Sequence, residues 1–484
     1  MSRIHDRRIY HQGANDFGRG EPVRLRFEGY RLRAYANEPV AVALLANGVR
    51  TASRSLKFHR PRGVLCLGGR CFSCLARVDG VPNVRTCRVA CRDGMTVRRE
   101  SAVPQAGCDV LRAFDFAFPK SLEYHEMFTR PAPVNKMLQR AVRVFSGGGD
   151  LPDRAAPAPA IREKAVEVAV IGGGPAGMAA ALTAAAAGAR TLLVDDAPEL
   201  GGHLVGWPEP LDGFADGPAW IQAQLAALDK AGVEVALGAE CLGRYREGFW
   251  AFYADGALTL LTPRRTVLAT GAYDQPPLFP NNDLPGIFST RGVSKLVHRW
   301  GVRPGDACLI LGVDDLALSL AERLPEMGVR VVGLATEARQ VAGDPDRAEK
   351  IRGRGVPIFL GYRAARARGA LRLKGLRLEP LDGGEPVDAP CDVVAAGGPP
   401  APSWELAAQA GGNVIYDAAR GGFAATCDKT GRTANSDVFV TGEMLGAAPA
   451  LTAAARGRAA GLAAALDLHP DETVAAELRR TTEN

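Results

Sequence analysis

VEVAVIGGGPAGMAAALTAAAAGARTLLVDD, residues 166–196, is the stretch that decides the fold. VEVAVI is a short apolar run bounded by glycine, the pattern of a buried strand. The turn that follows places Gly172, Gly174 and Gly177 in the spacing G-x-G-x-x-G. Met178, Leu182 and Ala185 then recur at helical intervals. TLLVDD is a second apolar strand, and it ends in Asp195 about twenty residues after the glycines. Together these make the full strand–turn–helix–strand signature of a dinucleotide site. Gly172 makes the tight turn, Gly174 admits a pyrophosphate, and Gly177 lets the helix pack on the strand. Pro175 and Ala176 open the helix, whose N-terminus faces the phosphates. Asp195 is the expected acceptor for ribose hydroxyls, and Asp196 is the fallback.

Further along the chain, Gly202 and His203 follow this strand in GGHL. TVLATGAYDQPP (266–277) is a strand running into Thr270 and Gly271. DVFVTGEML (437–445) is a strand running into Gly442 and Glu443, followed by an Ala-rich helix. Both segments are expected to bring backbone to the cofactor; the plainer reading is two parallel core strands ending in glycine turns. A third unit, DACLILGVDDLALSLAERLPEMGVRVVGLATE (306–337), repeats the strand–turn–helix–strand order. Its turn carries Asp314 where a glycine would meet a phosphate. A carboxylate about 4 Å from phosphate is repelled by ~1 kcal/mol even in high dielectric. This unit is expected to keep the fold and to have lost or changed its ligand.

Before these units the chain is different. VRLRFEG and YRLRAYANEP alternate as a hairpin turning at Glu28-Gly29, and VAVALLANG reads as a helix. A second hairpin turns at Asp79-Gly80, and GMTVRRE closes the module near residue 100. Between them lies CLGGRCFSC (66–74), which concentrates three of the chain's 10 cysteines. Cys66, Cys71 and Cys74, with Cys87 beyond, follow C-x4-C-x2-C…C, the spacing with which four thiolates hold the two irons of plant-type [2Fe–2S] ferredoxins. Gly68 and Gly69 are expected to let the loop wrap closely with positive φ. Structural zinc uses paired C-x2-C units, and only one such unit occurs here. Unligated thiols are the bland alternative, and Cys91 competes with Cys87 as fourth ligand. Cys108, Cys241, Cys308, Cys391 and Cys427 are isolated and expected to be buried thiols.

Composition narrows the class. A chain of 484 residues exceeds a single core. The net charge of +6 comes from dispersed Arg and Lys, which argues against nucleic-acid binding. The N-terminus MSRIHDRRIYHQ has no apolar h-region, and the most apolar stretch, 179–194, is interrupted by Arg190 and too short to span a bilayer. A cytoplasmic protein without a transmembrane segment is therefore expected, with reduced thiols committed to metal or redox chemistry. The expected organisation is an N-terminal β-grasp ferredoxin-like module at 1–105 and a Pro/Gly-rich connector at 106–165. The first part of a dinucleotide-binding domain follows at 166–295, an inserted second Rossmann-like domain at 296–404, and the return segment at 405–484. The fold class is thus α+β followed by an α/β flavoprotein with two dinucleotide-binding domains, disulfide-reductase-like.

Four stretches, FHRPRGVLCLGGRCFSCLARVDGVPNVRTCRV, VIGGGPAGMAAALTAAAAGA, VLATGAYDQPPLFPNNDLPGIFS and CDVVAAGGPPAPSWELAAQAGGNVIYD, carry a resemblance. The chain resembles the α subunits of heteromeric sarcosine oxidase and their relatives, among them hydrogen cyanide synthase, opine oxidases and dye-linked proline and hydroxyproline dehydrogenases. The resemblance implies an α subunit that binds a dinucleotide and docks on a β subunit. That β subunit would oxidise a secondary amine or imino acid at its own FAD, with FMN at the interface and with further small subunits in some relatives. FAD, or else NAD or an adenine nucleotide, is expected at the first site. Two departures stand out. Sarcosine oxidase α subunits continue into a folate-binding half, so no tetrahydrofolate chemistry is expected of these 484 residues. Their N-terminal module also lacks the cluster cysteines present here. A single [2Fe–2S] cluster is expected, no residue stands out as an acid–base catalyst, and the small-molecule amine belongs on the partner. Two other readings remain at this level: a self-contained FAD-dependent NAD(P)H reductase, which Asp314 argues against, and a scaffold with a structural dinucleotide.

Overall fold

The computed structural model describes residues 6–10, 17–55, 58–100, 102, 104–105, 108–113, 115, 130–145 and 151–483. The glycine run 146–150 and much of the connector lie outside them. The chain forms two compact units. One joins residues 1–156 to 276–398, and the other joins 157–275 to 399–484.

In the first unit, strands Pro22–Phe27 and Tyr30–Tyr35 pair as the expected hairpin. Glu28 and Gly29 take positive φ at its turn. The sheet continues through Thr96–Arg98, Leu75–Val78 and Val81–Arg85, with the first strand parallel to Thr96–Arg98. Helix Val40–Ala46 packs on one face, and all seven of its residues are buried. Leu25 and Phe27 face it, and each contributes about 1.5–3 kcal/mol on leaving water. This is a β-grasp.

The second half of the first unit is a parallel sheet in the order Ile287–Ser289, Val393–Ala396, Ala307–Leu311, Arg330–Thr336, Ile358–Leu360. An antiparallel sheet of Tyr362–Gly369, Leu373–Pro380 and Val387–Ala389 lies beside it. The expected start at 296 falls inside this domain, because Ile287 pairs with Val394 and Ser289 with Ala396. A three-residue strand within a glycine- and proline-rich run gives little periodicity to read. The two halves share one hydrophobic cluster. Ala41, Leu45, Val64, Leu67, Cys74 and Cys87 lie in it together with Phe288, Val293, Leu296 and Val313. Polar clamps reinforce it. Arg50 donates to the Asp392 side chain at 2.6 Å and to its carbonyl at 2.8 Å. Arg60 donates to Asn281 and Asp283, both at 2.8 Å. The start of the Pro/Ala segment is also tied down: buried Arg77 donates to the Leu151 carbonyl, to Asp153 and to Glu100.

The second unit is built on two long strands, Ala160–Ile171 and Ala257–Leu268, paired in parallel along their length. Residues 160–165, expected to belong to the connector, thus lie in the sheet, held by pairing from Ala160↔Ala257 onward. Thr191–Val194 and Glu234–Ala236 extend one side. On the other side, Trp250–Ala254 pairs with the first half of the second long strand and Val438–Val440 with its last three residues. The unit resumes at Pro399, a few residues before the expected 405. Helices Pro175–Ala186 and Ala450–Leu466 pack together. Among the described residues no helix is long and apolar enough to cross a membrane.

At the rim of this sheet Asp467 accepts from Arg432 at 2.7 Å and from Arg265 at 2.9 Å. Burial alone would raise its pKa, but these bonds and the charges of both arginines hold it below the ordinary carboxylate range. A depressed folded-state pKa stabilises above the unfolded value of about 3.9 and is lost as pH falls through the folded one. In acid melts followed by circular dichroism, Asp467→Asn should therefore destabilise the protein by about 1 kcal/mol near neutrality, and the difference should vanish in strong acid.

Candidate functional site: a cysteine loop and a glycine cradle

The cysteine loop leaves strand Pro61–Arg62 and enters strand Leu75–Val78. It brings Cys66, Cys71, Cys74 and Cys87 together as two pairs. Cys66 Sγ lies 3.2 Å from Cys71 Sγ, and Cys74 shares a hydrogen bond with Cys87. Within each pair the shared hydrogen bond makes one thiol easier to deprotonate and the other harder. The bond from Cys66 brings Cys71 down to about 6, and the bond with Cys87 brings Cys74 down to about 7. Cys66 and Cys87 are pushed up by the same bonds and by burial. Backbone groups converge on the sulfurs: Gly68 N–H reaches Cys66 Sγ at 3.3 Å, Arg70 bonds to Cys66, and Ser73 bonds to Cys71.

Of the two loop glycines only Gly69 has positive φ, at +76°. A Cβ there would lie 2.2 Å from Arg88 Nε. Leu67 and Phe72 also take positive φ, at 47° and 53°, so the loop is held by its contacts more than by glycine freedom. Arg85 and Arg88 donate to the carbonyls of Gly69 and Gly68 at 3.1 and 2.8 Å. They bring positive charge beside four thiols that would be anionic as metal ligands.

Cys91 lies elsewhere. It is buried in the β-grasp core with Leu25, Val40 and Met95. Burial and the charge of Glu38 push its thiol up. Of the isolated cysteines, Cys308 and Cys391 are buried and Cys241 and Cys427 partly so, but Cys108 is exposed, contrary to expectation.

The donor set fits a two-iron cluster. Among the described residues no three His, Cys, Asp or Glu side chains converge as a single-ion site. Two pairs of thiols, two for each iron, are what a [2Fe–2S] rhomb requires, whereas tetrahedral zinc needs all four about one point.

The glycine cradle lies in the second unit, at the N-terminus of helix Pro175–Ala186. Gly172 has φ +108° and sits against the Ala269 carbonyl. A Cβ at Gly177 would lie 1.7 Å from the Gly172 carbonyl oxygen, so helix and strand touch there. A Cβ at Gly174 would meet nothing within 4 Å. Gly174 is also the N-cap, and no side chain caps this helix. Its first N–H groups are therefore open to an external anion.

The third unit shows the contrast. Asp314 is the N-cap of helix Asp315–Glu326, and its own carboxylate accepts from Ala317 N–H at 2.9 Å. The charge that a phosphate would bring is already present in the side chain.

The other expected cofactor residues gather at the cradle. A Cβ at Gly202 would lie 3.1 Å from Gly174 Cα. His203 Nε2 lies 3.4 Å from Glu443 Oε2. Gly442, with φ +71°, sits against Ala176. Thr270 donates to the Ser403 carbonyl at 3.3 Å, next to Gly271. Asp195 accepts from Gly173 N–H and from Ala197 N–H at 2.6 Å, so it braces the glycine turn. Asp196 is half-buried beside it.

Sequence reasoning missed how the Ala-rich helix Ala450–Leu466 reaches the cradle. Gly457 and Gly461 lie against the Ala176 and Ala180 carbonyls, where a Cβ would come within 2.1 and 2.2 Å. Their four-residue spacing was the available signal.

Comparison with known proteins agrees with this geometry. Residues 20–102 match the family described as 2Fe-2S iron-sulfur cluster binding domain. Residues 166–459 match the family described as pyridine nucleotide-disulphide oxidoreductase. The chain is 29% identical over 429 residues to the alpha subunit of sarcosine oxidase from Rhizobium meliloti strain 1021, which covers 84% of the chain and 43% of that relative. It is 26% identical to an opine oxidase subunit from Agrobacterium tumefaciens strain Ach5, over 62% of the chain and 66% of the relative. The chain thus spans less than half the length of its sarcosine oxidase relative. L-proline dehydrogenase from P. horikoshii shares its fold, with a TM-score of 0.67 and 22% identity over 96% of the chain and 77% of that structure. The match spans more than half of the chain and includes every residue of the glycine cradle, so the chain belongs to the pyridine nucleotide-disulphide oxidoreductase family, with a 2Fe-2S iron-sulfur cluster binding domain ahead of that fold.

Proposed function

We propose that this chain is the cofactor-bearing, electron-transferring subunit of a heteromeric flavin-dependent dehydrogenase or oxidase acting on a secondary amine or imino acid of the sarcosine, proline, hydroxyproline or opine type. The carrying observation is the coexistence, in one chain, of two thiol pairs suited to two irons and a glycine cradle whose helix lacks a cap of its own. When bound, a flavin supplies two-electron oxidation of the amine and a [2Fe–2S] cluster supplies one-electron transfer to an acceptor. Cys66, Cys71, Cys74 and Cys87 would hold the cluster. The N–H groups after Gly174 would bind the pyrophosphate of FAD, NAD or an adenine nucleotide. Asp195 and Asp196 lie at the strand end where the ribose is expected. His203, Glu443, Thr270 and Gly271 would border the same dinucleotide.

The names of the relatives support the partner: both sarcosine oxidase and opine oxidase are represented by subunits. An FAD-bearing β subunit is the proposed site of amine oxidation, with FMN where the subunits meet and the amine bound on the partner. Asp314 speaks against a self-contained NAD(P)H reductase, since its carboxylate already satisfies the second helix N-terminus. The chain expressed alone should reduce no artificial dye with sarcosine, proline or hydroxyproline, and co-expression with the products of its neighbouring genes should give turnover. Robust amine-dependent dye reduction by the single chain would overturn the subunit reading.

A further inference from the structure

A concave site in the second unit is lined by residues outside both the cysteine loop and the glycine turn. It has a volume of about 280 Å³ and is lined by Tyr273, Trp404, Glu405, Tyr416 and Phe423, with Gln275 at its edge. Four of these side chains are aromatic and one is a carboxylate. No Lys or Arg is among the lining residues. The nearby Arg420 is engaged by Asp417, with Nε 3.2 Å from Oδ2.

The rings meet at steep angles. Trp404 and Phe423 have centroids 5.5 Å apart and planes at 48°. Phe423 and Tyr416 are 5.3 Å apart at 74°. Such an arrangement makes walls, where a parallel stack would bury its own faces. Tyr416 and Phe423 are 68% and 50% exposed, although a turn from Asp417 to Gly422 could have carried polar residues. The acid is oriented: Ser403 Oγ donates to Tyr273 OH at 3.2 Å, and Tyr273 OH donates to Glu405 Oε2 at 2.9 Å.

The electron-rich faces of aromatic rings attract cations, and alkylated ammonium groups suit them because their methyl groups shed water cheaply. A carboxylate at the rim adds charge and a hydrogen-bond acceptor for N–H. We propose that this aromatic box binds a small alkylammonium cation. The pocket adjoins the expected cofactor strand end, since Ser403 also donates its N–H to the Gly271 carbonyl at 3.0 Å and accepts from Thr270. The proposed function oxidises the amine on the partner, so the box is a separate site; that it holds the same amine or its product rests on that function, and binding itself does not.

The test uses the full 484-residue chain and two probes, tetramethylammonium and neopentyl alcohol, a neutral molecule of similar branched shape. Binding is read by saturation-transfer NMR and by the quenching of tryptophan fluorescence. Tetramethylammonium should bind, and neopentyl alcohol should bind at least about fivefold more weakly. Tyr416→Ala and Phe423→Ala, both at exposed positions, should each weaken the cation by about two- to fivefold. Glu405→Gln should weaken it by about tenfold and narrow the preference over the neutral probe. Equal binding of the two probes, or tetramethylammonium binding that survives all three substitutions, would overturn the cage. Sarcosine and N-methylproline, titrated in the same way, test the substrate assignment separately. If tetramethylammonium binds but the assembled complex oxidises no amine, the cage stands and the proposed function falls.

Discussion

Cys87→Ser should remove most of the iron and acid-labile sulfide from the purified protein, from about two of each per chain to well under one. The reduced-state EPR signal should vanish or shift with them. The expectation follows from the pairing. Cys87 is the hydrogen-bonded partner of Cys74, so its loss leaves one iron position with a single thiolate. A serine hydroxyl in its place is a harder and far less acidic ligand. Cys91→Ser is the control. Cys91 sits in the β-grasp core and not with the other sulfurs, so iron and sulfide should stay at the wild-type level. Its cost should appear in stability, about 1–3 kcal/mol for a hydroxyl placed in that core. If Cys91→Ser loses the iron and Cys87→Ser keeps it, the fourth ligand has been misplaced. Stoichiometric zinc without sulfide would remove the two-iron reading altogether.

The second large effect separates binding from folding at two glycines three residues apart. Gly174→Val should purify as a folded protein with at least about tenfold less bound dinucleotide. The backbone there is extended, with φ −74° and ψ −175°, and a Cβ meets nothing within 4 Å. The added methyl groups fill only the space in front of the helix N-terminus, where the pyrophosphate is expected. Gly177→Ala should do the reverse. Its Cβ would lie 1.7 Å from the Gly172 carbonyl oxygen, so helix and strand must separate, at a cost of about 1–3 kcal/mol or more. Thermal melts and the absorbance of cofactor released on denaturation read the two outcomes. Full cofactor content in Gly174→Val would place the dinucleotide elsewhere.

Much of this was legible in the chain itself. Residues 166–196 announced a dinucleotide fold because its needs are local: a run of β-branched and apolar residues, glycines where a side chain cannot fit, and a carboxylate at the next strand end. The cysteine spacing was equally local, since loop geometry sets which thiols can reach a common centre. Asp314 stood out in the sequence at the second glycine turn, and in the structure its carboxylate caps its own helix.

Other features had no local signature. Cys87 and Cys91 are four residues apart, and no periodicity assigns one to the loop and the other to the core. That choice depends on the β-grasp sheet and on where helix Val40–Ala46 packs against it. The strand pairing of Ala160 with Ala257 links residues nearly a hundred positions apart, so residues 160–165, read as the end of the connector, became sheet. Ile287–Ser289 was overlooked for the same reason. The aromatic box draws on Tyr273, on Trp404 and Glu405, and on a hairpin carrying Tyr416 and Phe423. Composition and spacing determined the class of chemistry because covalent reach and backbone sterics act over a few residues. Which thiol lies beside Cys74 and which rings share a pocket were decided only by tertiary packing, because those neighbours are chosen by burial across distant segments.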